Sequence, residues 1–113
     1  MSNILIVDDE KNQIELLHDL LEFEGYNVFT ALNINDAINE LRKNSIDLVI
    51  SDYKLKEGTG EDLLEKALFF YPDTMFIMLT AFGTIDTAVN CMKKGAFGFL
   101  TKPVNVEQLK ETI

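Results

Sequence analysis

The sequence predicts an α/β fold, a doubly wound five-stranded parallel sheet with helices on both faces. Three observations predict it. Five short apolar runs alternate with five stretches of helical periodicity, with no repeat, low-complexity segment or linker between them. The runs are continuously apolar, as strands buried on both faces of a parallel sheet are. With 113 residues the chain suits one domain around one core, expected to span residues 1–113.

Ile4 to Val7 is the first strand, halted by Asp8, Asp9 and Glu10. From Asn12 to Glu24 the period lengthens: Ile14, Leu17 and Leu21, with Leu16 and Leu20, make a helical stripe that Gly25 ends. Asn27 to Ala31 reads as a second, more exposed strand. Asn33 or Asn35 caps the next helix, with Ala37, Ile38 and Leu41 as its apolar positions. Ile46 to Ile50 forms the third strand, leading through Ser51 to Asp52. Leu63, Leu64, Ala67 and Leu68 give a helix over Glu61 to Tyr71, and Pro72 lies just past its end. Met75 to Leu79 is the fourth strand, stopping at Thr80. Ile85, Ala88, Val89 and Met92 form another stripe that Gly95 closes; core is its commoner role, and a dimer or partner surface at Met92, with Lys93 and Lys94, is the alternative. Phe97 to Leu100 is the fifth strand, before Thr101, Lys102 and Pro103. Val106, Leu109 and Ile113 start a last helix, too short to be an ending, so the chain is expected to continue in a longer protein. Five such units usually adopt the flavodoxin-like order 2-1-3-4-5, with the ligand crevice between strands 1 and 3.

Composition excludes several functions. Hydrophobic residues make up 47% and charged residues 26%, an ordinary globular balance. Ten Lys and Arg against nineteen Asp and Glu give a net charge of −9, which argues against direct nucleic-acid binding. Cys91 is the one cysteine and forms no intrachain disulfide, so a reducing cytoplasm is expected. Neither a signal peptide nor a membrane span is expected.

In a parallel sheet the carboxyl ends of the strands share one rim. Asp8, Asp9, Asp52, Thr80 and Lys102 therefore converge there from four segments. Each alone has an ordinary role as a cap, turn or surface residue; the set does not. Two like charges about 4 Å apart repel by roughly 4 kcal/mol at an effective dielectric near 20, so three carboxylates call for a cation. All-oxygen ligands suit Mg²⁺ (or Mn²⁺), while one His and one Cys make zinc a poor fit. A divalent ion beside an acid, a Lys and a hydroxyl equips a site for phosphoryl transfer. Asp52 is the best-placed nucleophile, and Asp8 and Asp9 suit the metal.

On these residues the sequence resembles the receiver domains of two-component response regulators, of the CheY-like fold. The match runs through Asp8-Asp9, Asp52, Gly60, Thr80-Ala81 and Lys102-Pro103, in order and over nearly the whole chain. The resemblance implies that Asp52 accepts a phosphoryl group from a sensor histidine kinase's phosphohistidine. Asp9, Asp52 and the Lys54 carbonyl would bind the metal directly, and Asp8 largely through water. Lys102 would contact the phosphoryl oxygens, and Thr80 would hydrogen-bond one of them. It implies a cis Lys102–Pro103 bond and a switch formed by Thr80 and Phe99. It also implies a signalling domain that only assists its own phosphorylation and dephosphorylation. Thr80 to Thr84, Thr87 to Val89 and Lys94 to Phe97 look like receivers of NtrC-type transcriptional activators. Partners so implied are the kinase, an output domain, and a second copy through the face of helix 4, strand 5 and helix 5.

The chain departs from the family in three places. Lys56 stands four residues after Asp52, where proline is frequent. Lys54 and Phe82 flank the phosphoacceptor at positions that tune water access. Phe99 replaces a common Tyr and has no hydroxyl to anchor either rotamer. Rival readings fit less well: a haloacid-dehalogenase-like phosphatase needs an acid where Lys54 stands, and a nucleotide binder needs a glycine-rich loop where Asp8 to Lys11 stand.

Overall fold

The apolar runs form a parallel sheet whose strands stand in the order β2-β1-β3-β6-β7, seen in a computed structural model that describes residues 2–81, 84–103 and 106–112. Expectations for Phe82, Gly83, Val104, Ile113 and the Val106 side chain lie outside the described residues. The elements are β1 (Asn3–Val7), α1 (Lys11–Phe23), β2 (Asn27–Ala31), α2 (Ile34–Lys43), β3 (Leu48–Ser51), β4 (Lys54–Leu55), β5 (Gly58–Thr59), α3 (Gly60–Phe70), β6 (Met75–Thr80), α4 (Ile85–Lys93), β7 (Gly98–Thr101) and α5 (Val106–Thr112). Setting aside β4 and β5, which pair antiparallel with each other, this is the predicted 2-1-3-4-5 arrangement. The predicted third and fifth strands sit one or two residues later than expected, because Ser51 and Thr101 join the ladders that Ile46 and Phe97 do not.

Period-2 alternation along these strands divides the core into two layers. Leu5, Val7, Val49, Phe76 and Met78 face α2, α3 and α4, whose Ala37, Leu41, Leu63, Leu64, Ala67 and Cys91 are buried with them. Ile4, Ile6, Ile50 and Ile77 face α1 and α5, against Ile14, Leu17, Leu21 and Leu109. Full burial of each such aliphatic side chain contributes about 1.5–3 kcal/mol, which fixes the strand register that sets the rim.

Local chemistry starts and stops the helices. Asn33, and not Asn35, caps α2 by accepting the Asp36 N–H at 2.8 Å. Thr59 and Asp62 form a reciprocal capping box on α3, and Thr84 caps α4. Gly25 and Gly95, just past α1 and α4, have φ of 97° and 109°, a region that favours glycine.

Two stripes differ from expectation. Leu16 of α1 is 57% exposed, and on α4 Ile85, Val89 and Met92 are 82%, 44% and 47% exposed. Cys91 is the residue that α4 buries. On α1 the departure is Leu16, since Ile14, Leu17 and Leu21 are buried as expected; on α4 the exposed side chains share one helical face, and that face looks to solvent.

Candidate functional site

Strand ends build the site. The Asp52 N–H donates to the Val7 carbonyl at 2.9 Å, which ties the end of β3 to the end of β1. That puts Asp52 beside Asp8 and Asp9, and carboxylate oxygens of all three lie within 4.8 Å of one another. The Lys102 N–H donates to the Thr80 carbonyl at 3.0 Å, so β6 aims the residue that follows β7. The Lys102–Pro103 bond is cis.

At the centre is an ammonium between two carboxylates. Lys102 Nζ donates to Asp8 Oδ2 at 2.8 Å and to Asp52 Oδ2 at 3.1 Å. Asp8 is buried and Asp52 half-buried. Burial pulls the Lys102 ammonium toward deprotonation, yet the hydrogen bonds to Asp8 and Asp52 and their charges outweigh it and hold it above the ordinary lysine value. Lys102 therefore stays cationic between the two carboxylates.

The remaining oxygens are oriented by backbone. Asp8 Oδ1 accepts the Glu10 N–H at 2.9 Å, and Asp52 Oδ1 accepts the Lys54 N–H at 3.3 Å. The donor set of three carboxylates, Asp8, Asp9 and Asp52, is all oxygen and suits a hard divalent cation.

Thr80 is fully buried at the end of β6. Its strand register aligns Met78 with Phe99 and Thr80 with Thr101, so Thr80 and Phe99 share the sheet face that carries α4. Phe99 is half-buried and packs on the core of that face. Ser51 is buried and donates to the Asp52 carbonyl at 2.9 Å, while Lys54 and Lys56 are exposed on the hairpin.

Two site features escape a reading of residue types. The β4–β5 hairpin pairs Lys54 with Thr59 and follows directly on Asp52, whose Oδ1 accepts the Lys54 N–H; two-residue strands have no period to read. The second is how closely Gly60 approaches: its N–H donates to the Tyr53 carbonyl at 2.6 Å, and a Cβ there would sit 2.5 Å from the Asp52 carbonyl oxygen.

Comparison with known proteins bears on this geometry. The family model described as the response regulator receiver domain matches residues 4–113. The response regulator protein PilR of Pseudomonas aeruginosa is 39% identical over 109 residues, 96% of this chain and 24% of that protein. The transcriptional regulatory protein GlrR of Escherichia coli is 38% identical over 112 residues, 99% of this chain and 25% of that protein. The chain thus spans about a quarter of the curated relatives it matches. Among solved structures, a receiver domain protein from Clostridium thermocellum superposes with a TM-score of 0.93 at 35% identity, covering 99% of this chain and 90% of that one. The beryllofluoride-activated NtrC4 receiver domain dimer gives 0.93 at 34%, covering 99% and 93%.

Proposed function

The chain belongs to the response regulator receiver family, and from that premise we propose that Asp52 is its phosphoacceptor in a phosphorylation-dependent switch. The observation that carries the reading is the Lys102 ammonium held 2.8 Å from Asp8 and 3.1 Å from Asp52. An Asp52 carboxylate oxygen attacks the phosphorus of a sensor histidine kinase's phosphohistidine. The O–P bond forms as the P–N bond breaks, and the bonding pair leaves on the imidazole nitrogen, which takes up a proton. Lys102 balances charge on the phosphoryl oxygens, and the Lys54 N–H and Lys102 keep Asp52 aimed.

Asp9, Asp52 and the Lys54 carbonyl would hold Mg²⁺ (or Mn²⁺), with Asp8 acting largely through water, as the family resemblance implies; carboxylate oxygens of Asp8, Asp9 and Asp52 lie within 4.8 Å of one another. The ion supplies further charge balance to the phosphoryl group when bound. The domain assists its own phosphorylation and dephosphorylation and acts on no separate substrate.

Phosphorylation adds about one negative charge and several acceptors at Asp52. Thr80 turns its hydroxyl toward them, space opens behind it, and Phe99 turns inward on the shared sheet face. This biases a two-state equilibrium of α4, β7 and α5. The exposed Ile85, Val89 and Met92 of α4 fit that face to an output domain or a second copy; the similar NtrC4 receiver domain is a dimer when activated by beryllofluoride. The relatives are transcriptional regulators, so the output is transcription, controlled through a segment outside residues 1–113. We place the exchange in the cytoplasm, where Cys91, a free buried thiol, stays reduced.

Acetyl phosphate with Mg²⁺ and intact-mass measurement test the reading. One phosphoryl group is gained, and Asp52→Asn abolishes the gain; no gain with any donor overturns it.

A further inference from the structure

The sheet has two edges, β7 beside α4 and β2 on the far side. Along β2 the Asn27 N–H donates to Ser2 at 3.1 Å, and the Ala31 carbonyl accepts from Asp8 at 3.2 Å. Residues 27, 29 and 31 thus turn their backbone groups to β1. The two-residue period then turns the N–H and C=O of Val28 and Thr30 outward. Natural edge strands are guarded by Lys, Pro, a bulge, inward-pointing charge or a covering element. The Asn-Val-Phe-Thr-Ala sequence of β2 has no charged residue and no proline.

Two cavities lie end to end along this edge. One, of about 530 Å³, is bordered by Thr30 and Leu32 together with Lys11, Glu15, Asp19 and Asp36. The other, of about 490 Å³, is bordered by Tyr26, Val28 and Glu22. Leu32 is 44% exposed. An extended segment laid along β2 thus meets backbone groups at its centre, Val28 and Leu32 beside them, and acids toward both ends. His18 lies 3.2 Å from Asp19 and 3.3 Å from Glu22, which leaves Glu15 and Asp36 to face the segment.

The charges choose the occupant. A second copy pairing antiparallel would bring Glu22 of one chain against Glu15, Asp19 and Asp36 of the other, acid to acid, on chains of net charge −9. A segment carrying Lys or Arg meets complementary charge at both ends. We propose that the open edge of β2 is a docking strand for an extended basic segment of a partner protein, which adds as a sixth strand of the sheet. Because β1, β3 and β6 stand between β2 and β7, both edges can be engaged at once.

Amide NMR titration of the chain with the synthetic peptide Lys-Val-Thr-Val-Lys, blocked at both termini, tests this. Shifts are expected along β2 and at Glu15 and Asp36, with slowed hydrogen exchange at the Val28 and Thr30 amides. Thr30→Pro removes one outward donor without touching the β1 ladder, so it abolishes the β2 shifts while the rest of the spectrum stays native. The pair Glu15→Gln and Asp36→Asn weakens the lysine peptide by about fivefold and leaves a Gln-Val-Thr-Val-Gln peptide unchanged. Should Thr30→Pro disturb the fold, the N-methylated lysine peptide replaces it and is expected not to bind. Absence of β2 shifts at millimolar peptide overturns the proposal, as does equal binding of both peptides. Concentration-dependent β2 shifts without peptide would make a second copy the occupant and overturn it too.

Discussion

Replacing Gly60 with alanine tests how tightly α3 is pressed onto Asp52, the proposed phosphoacceptor. Gly60 is the first residue of α3 and is buried. A Cβ there would lie 2.5 Å from the Asp52 carbonyl oxygen and 2.5 Å from Met78 Sδ, half an ångström inside the 3.0 Å that real Cβ contacts respect. The Met78 side chain is fully buried and has little room to yield, and the Asp52 carbonyl is backbone, so the shift falls on the site. Overpacking of this kind costs about 1–3 kcal/mol, and the helix preference for Ala over Gly returns at most about 1 kcal/mol. A net loss of about 1–2 kcal/mol, over an m-value of about 1–3 kcal/mol per molar urea, lowers the urea midpoint by roughly 1 M. Moving Asp52 by half an ångström also slows phosphoryl uptake from acetyl phosphate, by about tenfold. Gly25→Ala is the control. Nothing lies within 4 Å of its Cβ, but its φ is 97°, so it lowers stability through strain and leaves uptake unchanged. A Gly60→Ala protein with both the native midpoint and the native uptake rate would refute the reasoning.

Lys102→Gln removes the cation between Asp8 and Asp52, and phosphoryl uptake measured by intact mass is expected to fall by about 10²-fold; an unchanged rate contradicts the charge-balancing role. Thr80→Ala is expected to leave Asp52 phosphorylation nearly intact while abolishing the NMR shift changes around Phe99 and along α4. Native shift changes in the phosphorylated variant would sink that coupling. Burial, with Glu61 adding to it and Lys94 opposing, pushes the Cys91 thiol above its ordinary value. The folded state therefore holds this proton longer than the unfolded chain. Its contribution is fully present below about pH 8.5 and is lost as pH rises through the folded value, at up to about 1.4 kcal/mol per pH unit. The urea midpoint should decline from about pH 8.5, and Cys91→Ala should flatten that decline even though it lowers the midpoint overall. Lys102, also raised, adds a loss of the same sign only above about pH 10.4. Parallel pH profiles for native and Cys91→Ala proteins would rule out the thiol.

The rim was legible because its grammar is simple. A short apolar run such as Leu48-Val49-Ile50 suits a strand buried on both faces, and its alternation with helical stretches implies the parallel topology that brings Asp8, Asp9, Asp52, Thr80 and Lys102 to one edge. Distances are another matter. No property of Gly60 as a residue type announces that its neighbour's carbonyl is too close for a methyl group, because that contact is made by two segments meeting over Met78. The β4–β5 hairpin is illegible for a related reason, since two residues on each side carry no alternation and their pairing depends on the closing turn.

The most instructive element is α4. The sequence favours core for its stripe and leaves a partner surface as the alternative; Ile85, Val89 and Met92 share a face turned to water, while Cys91 points inward. A period of 3.6 says which side chains lie together, not what they lie against. An apolar stripe left exposed forgoes about 25 cal/mol for each square ångström it could have buried. A helix that forgoes this at three positions is poised to recover it when another surface arrives. The same helix packs on β7, on the sheet face shared by Thr80 and Phe99. In the switch we propose, a turn of Thr80 toward a phosphorylated Asp52 would shift the platform beneath that stripe, and the exposed face would be the surface that reports it.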